Sequence, residues 1–278
     1  MNIEMRQDPL WGHVVFLSDG TTEVAAALDY GIRVVHLSRT GMENLFYRQP
    51  DDLSDGLTTP EGWRIFGGHR FWTAPESNQS YYPDSDPVAC QVLPDGALLT
   101  QKTDPWTGLE KQVSVRLRED GRVQVEHRLT NRSGAPVTAA AWGVSTLRPG
   151  GEAVVPLPDV TPESEFTPHR VLAFWNNTSL ADPRLRLGRR GIAVRHDPTV
   201  KEYFKIGVYS ETGSVRFRNL GQTLEVTFEP SPLTECEDLG CNVEIYADPF
   251  ILEVETLGAR RTLEPGQSVS HTEFWKVT

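Results

Sequence analysis

The chain has 278 residues, 38% of them hydrophobic and 23% charged, which is ordinary for a globular protein. Its 27 lysines and arginines against 38 aspartates and glutamates give a formal net charge of −11, which argues against an electrostatic nucleic-acid binder and against anchoring on an anionic membrane. No apolar run approaches the roughly 20 residues of a membrane-spanning helix, residues 1–8 lack the apolar core of a signal peptide, and an odd set of cysteines (Cys90, Cys236, Cys241) suits reduced thiols in a cytoplasm better than a disulfide framework.

In chain order, residues 14–17 form a short apolar strand ended by Ser18-Asp19-Gly20. Residues 23–28 and 31–37 read as a second pair. The alanines of 24–28 could pass for helix, but there is no room for a third turn before Gly31, so the expectation is strand. Residues 49–61 are polar, carry two prolines and read as a surface loop.

Residues 62–88 pack glycines, aromatics, a histidine, arginines and acids together, including Gly67-Gly68-His69-Arg70-Phe71-Trp72 and Tyr81-Tyr82-Pro83-Asp84. Paired glycines let a backbone approach something closely. Aromatic faces beside hydrogen-bonding side chains are what a sugar site needs, because a pyranose has apolar C–H faces and a hydroxyl rim. For each aromatic alone a core role is the better reading; His69 and Arg70 beside two glycines fit a core less well. Asp84 sits in a Pro-Asp-Ser-Asp-Pro turn close to this segment, which keeps it as a groove candidate.

Period-two alternation then continues from residue 89 to residue 147, broken by Pro-Asp-Gly and Asn-Arg-Ser-Gly turns, and the 137–147 strand contains Trp142. Residues 158–182 form a long connection, with His169 and Trp175, whose length predicts a loop that covers something. Short strands resume from 185 to 247. Residues 250–277 alternate, turn at Glu264-Pro265-Gly266-Gln267, and alternate again. In the first of these strands Ile251, Glu253, Glu255 and Leu257 share one face, so two carboxylates stand roughly 7 Å apart among apolar neighbours. Apolar surroundings raise a carboxyl pKa toward the range useful to a general base. In the second strand His271 and Glu273 read as a cross-strand polar pair. With no helix, repeat or linker, the expectation is a single all-β domain over 1–278, built of two large sheets.

Three stretches carry a resemblance to a known family: Gly31-Ile32-Arg33 leading to Asn44-Leu45, the Gly67-Gly68 segment with Pro75, and Leu252-Glu253-Val254 followed by Leu263-Glu264-Pro265-Gly266. Together they resemble the galactose mutarotase-like (aldose 1-epimerase) superfamily, most nearly an uncharacterised bacterial branch. The resemblance implies a β-supersandwich of two large, mainly antiparallel sheets whose concave face holds a small sugar or sugar phosphate. In that family a glutamate removes the proton of the anomeric hydroxyl and a histidine protonates the ring oxygen, so the resemblance implies Glu253 as base and His69 as acid. Arg70, Trp72, Asp84, Trp142 and Glu255 are the candidate substrate-binding residues. The histidine is displaced relative to the family's glycines, and Ala141-Trp142-Gly143-Val144 stands where the family has a second one. A sugar-binding protein that has lost the chemistry is the alternative, with a glycan hydrolase or lyase behind it. No metal or cofactor is expected, and the expected assembly is a monomer or homodimer.

Overall fold

The computed structural model describes residues 1–52, 58–159, 162, 166 and 170–278. Its strands are β1 (Asn2–Asp8), β2 (Gly12–Ser18), β3 (Thr22–Ala27), β4 (Arg33–Arg39), β5 (Gly68–Ala74), β6 (Ala89–Leu93), β7 (Gly96–Thr100), β8 (Leu109–Leu117), β9 (Val123–Asn131), β10 (Val137–Leu147), β11 (Glu152–Pro156), β12 (Leu172–Phe174), β13 (Leu185–Leu187), β14 (Gly191–Arg195), β15 (Phe204–Val208), β16 (Ser214–Asn219), β17 (Gln222–Phe228), β18 (Val243–Ala247), β19 (Leu252–Leu257), β20 (Arg261–Leu263) and β21 (Ser268–Val277). The only helical elements among the described residues are two 3-10 turns, Asn78–Tyr81 and Leu233–Glu235. None is long and apolar enough to cross a membrane. The alanine-rich residues 24–27 lie in β3, because both their neighbours are strands and the segment ends at the Gly31 turn.

Every pairing is antiparallel, and the strands form two large sheets. The first runs β1-β2-β3-β4-β5-β10-β19-β18-β15-β12 with β20 added beside β10; the second runs β13-β14-β11-β16-β17-β21-β9-β8-β7-β6. One contiguous apolar cluster joins them, with Val34, Phe71, Leu252, Val254 and Ile245 from the first sheet against Val125, Val226 and Trp275 from the second. The fold is therefore all-β, two layers packed face to face.

The middle of the first sheet positions the site. β10 lies between β5 and β19, although more than sixty residues separate β5 from it and about a hundred separate it from β19. Register lines up side chains from distant parts of the chain. One row reads Arg70, Val144, Glu255, Glu244 across β5, β10, β19 and β18. The next reads Gly68, Thr146, Glu253, Tyr246, Lys205 across β5, β10, β19, β18 and β15. Because side chains alternate along a strand, both rows fall on the face turned away from the second sheet, while His69, Ser145 and Val254 fall on the face turned toward it. Ile251 and Leu257 pack with the outer cluster and Leu252 and Val254 with the shared core, the division that alternation predicts.

The paired glycines approach backbone, not ligand. Gly67 and Gly68 have φ of +103° and +73°, and a Cβ on Gly67 would lie 2.1 Å from the Tyr47 carbonyl oxygen. The long 158–182 connection contains β12, which pairs with β15 at the sheet edge. His169, Glu163 and Glu165 lie outside the described residues.

Candidate functional site

A cavity of about 330 Å³ opens on the outer face of the first sheet, over β5, β10, β19, β18 and β15. That is the lower end of the range of small-molecule sites, ~300–1,000 Å³. Its floor is charged and its walls are aromatic. Arg70, Trp72, Trp142, Glu253 and Glu255, all singled out from the sequence, line it together.

Arg70 Nη1 donates to Glu253 Oε1 at 2.8 Å and to Thr146 Oγ1 at 2.8 Å, and the Thr146 hydroxyl donates to the same Glu253 oxygen at 2.7 Å. Both partners of this ion pair are buried. Their charges are confined to a small polar triangle that leaves Glu253 Oε2 without a hydrogen bond among the described residues. The guanidinium carbon lies 4.6 Å from the centre of the Trp72 ring, a cation–π distance.

One strand over, Lys205 Nζ sits 3.1 Å from Glu255 Oε2 and 2.7 Å from Glu244 Oε2. The Trp142 indole N–H donates to Glu255 Oε2 at 2.9 Å. Glu244 and Glu255 are directly opposite each other on β18 and β19, with one ammonium between them. Burial pushes the Glu244 carboxyl well above the usual range, partly opposed by Lys205 and reinforced by Glu255. Burial also raises Glu255, with Lys205 opposing and Glu253 adding to the rise. For Lys205 burial favours the neutral amine, but Glu255 and Glu244 outweigh it and hold the ammonium above its ordinary value. Two carboxyls facing one cation titrate as a pair, and burial holds this pair above the usual carboxylate range.

The walls come from Trp72 of β5, Trp142 of β10 and aromatics of three connections, Trp63, Tyr81 and Trp175. Tyr81 meets Trp63 and Trp72 edge to face with ring centres 5.2 Å apart, Trp63 and Trp72 are tilted against each other at 5.4 Å, and Trp72 meets Trp142 edge to face at 5.3 Å. Tyr81 is presented by the Asn78–Tyr81 turn, which Ser77 caps. Trp175 comes from the long connection, with Lys205 Nζ 5.0 Å from its ring centre. The expectation that this connection covers something is met at Trp175 and Asn177, both of which line the cavity.

Two sequence candidates lie elsewhere. Asp84 is buried against Arg33, whose Nη2 donates to Asp84 Oδ1 at 3.2 Å, and the loop carrying it packs on Gly31. It fixes a loop and does not line the cavity. His69 is the larger correction. It follows Gly68 and precedes Arg70 in β5, so alternation sends its side chain through the opposite face of the sheet, between the layers. Its Nδ1 meets Ser145 Oγ at 2.8 Å, its Nε2 meets His127 Nε2 at 2.6 Å, and its ring packs on Trp275. His127 Nδ1–H donates to the His271 carbonyl at 3.2 Å, which leaves His127 Nε2 as the acceptor from His69. Thr256 links His271 Nε2 to Glu273 Oε1, and the Trp275 indole N–H donates to Glu273 Oε2 at 2.5 Å. His271 and Glu273 thus belong to one buried network with His69 and His127.

Burial pushes the His127 imidazole down to about 4, the His271 imidazole down to about 3 and the His69 imidazole well below its ordinary value, so all three are neutral. Burial raises Glu273 to about 7 despite hydrogen bonds from Thr256 and Trp275. His69, His127 and Glu273 offer donor atoms all within 4.8 Å of one another, a grouping not visible in the sequence. The 2.6 Å contact between the two imidazole nitrogens is that of a shared proton, closer than two nitrogens on one metal ion would stand.

Gly143 is what lets this network close. A Cβ there would lie 2.5 Å from Glu273 Oε1, 3.0 Å from His69 Cε1 and 3.3 Å from His127 Cε1. All three side chains are held by buried hydrogen bonds. Gly143→Ala is therefore expected to destabilise the fold by about 1–3 kcal/mol, the usual cost of overpacking, read as a lowered denaturation midpoint at unchanged slope. Stability equal to the parent protein would mean that the network yields without cost.

Sequence reasoning missed Glu76, Tyr81, Tyr203, Lys205, Glu244 and Tyr246 as parts of the site. A lysine between Phe204 and Ile206 in an otherwise apolar strand, and a glutamate and tyrosine at alternate positions of 242–246, were the available signals.

No family profile and no curated protein matches the chain in sequence. Solved structures do match in shape. A galactose mutarotase-like protein from Lactobacillus casei superposes with a TM-score of 0.63 at 10% identity, over 95% of this chain and 100% of that one. A galactose mutarotase related enzyme from Lactobacillus acidophilus gives 0.57 at 10% identity, over 95% and 97%. A TPR-domain containing protein from Parabacteroides distasonis gives 0.64 at 14% identity, over 96% of this chain, which spans only 47% of that protein. The fold is the galactose mutarotase-like fold that the sequence motifs implied, and at such identities the likeness is one of fold.

Proposed function

We propose that the outer-face cavity binds a small sugar and interconverts its anomers by acid–base ring opening. Glu253 takes the proton of the anomeric hydroxyl, and Glu255 gives a proton to the ring oxygen. The bond from the anomeric carbon to the ring oxygen breaks, leaving an open-chain aldehyde. Rotation about the C1–C2 bond and closure with both protons returned give the other anomer. What supports this reading is the pair of carboxyls two residues apart on β19, in one aromatic-walled cavity but held by different partners. Glu253 is paired with Arg70, whereas Glu255 shares Lys205 with a second carboxyl and has a raised pKa. Base and acid need opposite protonation states at one pH, and unlike neighbours are how two chemically identical groups acquire them. His69, behind the sheet, has no part in the step.

A second reading, sugar binding without turnover, is favoured by one observation: among the described residues no imidazole lines the cavity, and Glu253 Oε1 is already engaged by Arg70 and Thr146. The experiment is anomer exchange of freshly dissolved hexoses followed by polarimetry or NMR, alongside saturation of tryptophan fluorescence by the same sugars. Accelerated exchange is the expected result. Saturable binding without acceleration supports the second reading, and neither effect with any sugar removes both.

A further inference from the structure

We infer that the cavity selects against anionic sugars and favours one bearing a free amine, with Glu76 as the residue that receives the ammonium; this rests on the sugar-binding reading above. The argument is one of charge and of where the charge is already spoken for. Among the described residues, the charged side chains lining the cavity are Arg70, Lys205, Glu76, Glu253 and Glu255. Arg70 is paired with Glu253 and stacked on Trp72. Lys205 is paired with Glu255 and with Glu244 behind it, and its ammonium lies 4.7 Å from the Trp142 ring centre and 5.0 Å from that of Trp175. Each cation is enclosed between a carboxylate and an aromatic face. Among the described residues, a phosphate entering the cavity would meet no cation that is not already ion-paired. To recruit either cation it would have to compete with the buried carboxylate already paired with it, although Arg70 Nε has no hydrogen-bond partner among the described residues.

Glu76 is different. It lines the cavity, its Oε1 accepts the Tyr81 hydroxyl at 2.5 Å, and among the described residues no cation pairs with it. It stands between the end of β5 and the Ser77-capped turn that carries Tyr81, so its backbone is fixed at both sides. A carboxylate at the mouth, next to the Tyr81 ring, offers an ammonium both an ion pair and an aromatic neighbour. The surroundings act in the same direction, since a protein of net charge −11 concentrates cations and repels anions near its surface.

The test is a set of equilibrium titrations by tryptophan fluorescence with glucose, glucosamine, N-acetylglucosamine and glucose 6-phosphate, each at low and high salt. N-acetylglucosamine keeps the substituent and removes its charge. Glucosamine is expected to bind about three- to tenfold more tightly than N-acetylglucosamine, and the phosphate at least about tenfold more weakly than glucose. Both differences should shrink as salt rises. Glu76→Gln is expected to bring glucosamine down to the affinity of its N-acetyl analogue. Phosphate binding as tight as glucose, or a glucosamine preference unchanged by Glu76→Gln, would overturn this inference and leave sugar binding standing. Failure of every sugar to bind would remove the sugar reading, and this inference with it.

Discussion

Glu253→Gln is expected to slow anomer exchange by about 10²- to 10⁴-fold, the worth of a positioned general base. The substitution keeps the shape of the side chain. An amide oxygen in place of Oε1 can still accept from Arg70 Nη1 and Thr146 Oγ1, so the polar triangle on the cavity floor persists. What disappears is the charge. The Arg70 guanidinium is then buried without a counter-ion, and removing one partner of a buried pair typically costs about 3–5 kcal/mol of stability. Two effects are therefore superimposed, and they separate by measurement. Circular dichroism identifies a temperature at which both proteins are folded, and exchange rates and sugar affinity are compared there. Lost exchange with affinity kept within several-fold is the signature of a base. Exchange at the parental rate would assign the proton to another group.

How far the sequence led can be judged from neighbouring residues of two strands. Glu253 and Glu255 were placed on one face by the period-two rule, and Ile251 and Leu257 beside them, because alternation is a local property that any strand obeys. The same rule, applied to Gly68-His69-Arg70, sends His69 and Arg70 to opposite faces of one sheet. The family pattern that puts both beside one sugar therefore does not fit the geometry of the strand carrying them here. Asp84 failed for another reason. Its role depends on Arg33, fifty-one residues earlier, and on a loop packing against Gly31; no local pattern encodes either. Lys205 and Glu244 were visible as polar interruptions of apolar strands, but only the order β5-β10-β19-β18-β15 brings them beside Glu255. Local chemistry was legible, then, while the convergence of distant strands was not, because cross-strand register is set by packing of the whole sheet.

Stability is expected to fall by roughly 1–3 kcal/mol for each pH unit between 6.5 and 5, and the buried imidazoles are the main cause. His69, His127 and His271 are held neutral by burial, with His127 pushed down to about 4 and His271 to about 3. In the unfolded chain each takes up a proton near 6.5. Between that value and the folded ones the unfolded state binds more protons, so stability rises with pH and is lost as pH falls. Glu273, raised to about 7, works the other way: below 7 the folded state keeps a proton that the unfolded chain releases down to about 4.5. Glu244 and Glu255, both raised by burial, add further opposing contributions, while His36 and His196, both lowered by burial, side with the buried three. The five lowered imidazoles outnumber the three raised carboxyls, which leaves the unfolded state with the larger proton uptake, and each net proton is worth about 1.4 kcal/mol per pH unit. Denaturant titrations at pH 7, 6 and 5 read the slope. His127→Gln, which keeps a hydrogen-bonding group beside His69 and removes one ionisable site, should flatten it by about one proton even though the variant starts from a lower stability. A parent protein whose denaturation midpoint is the same at pH 7 and pH 5 would mean that these imidazoles are not held neutral between the sheets.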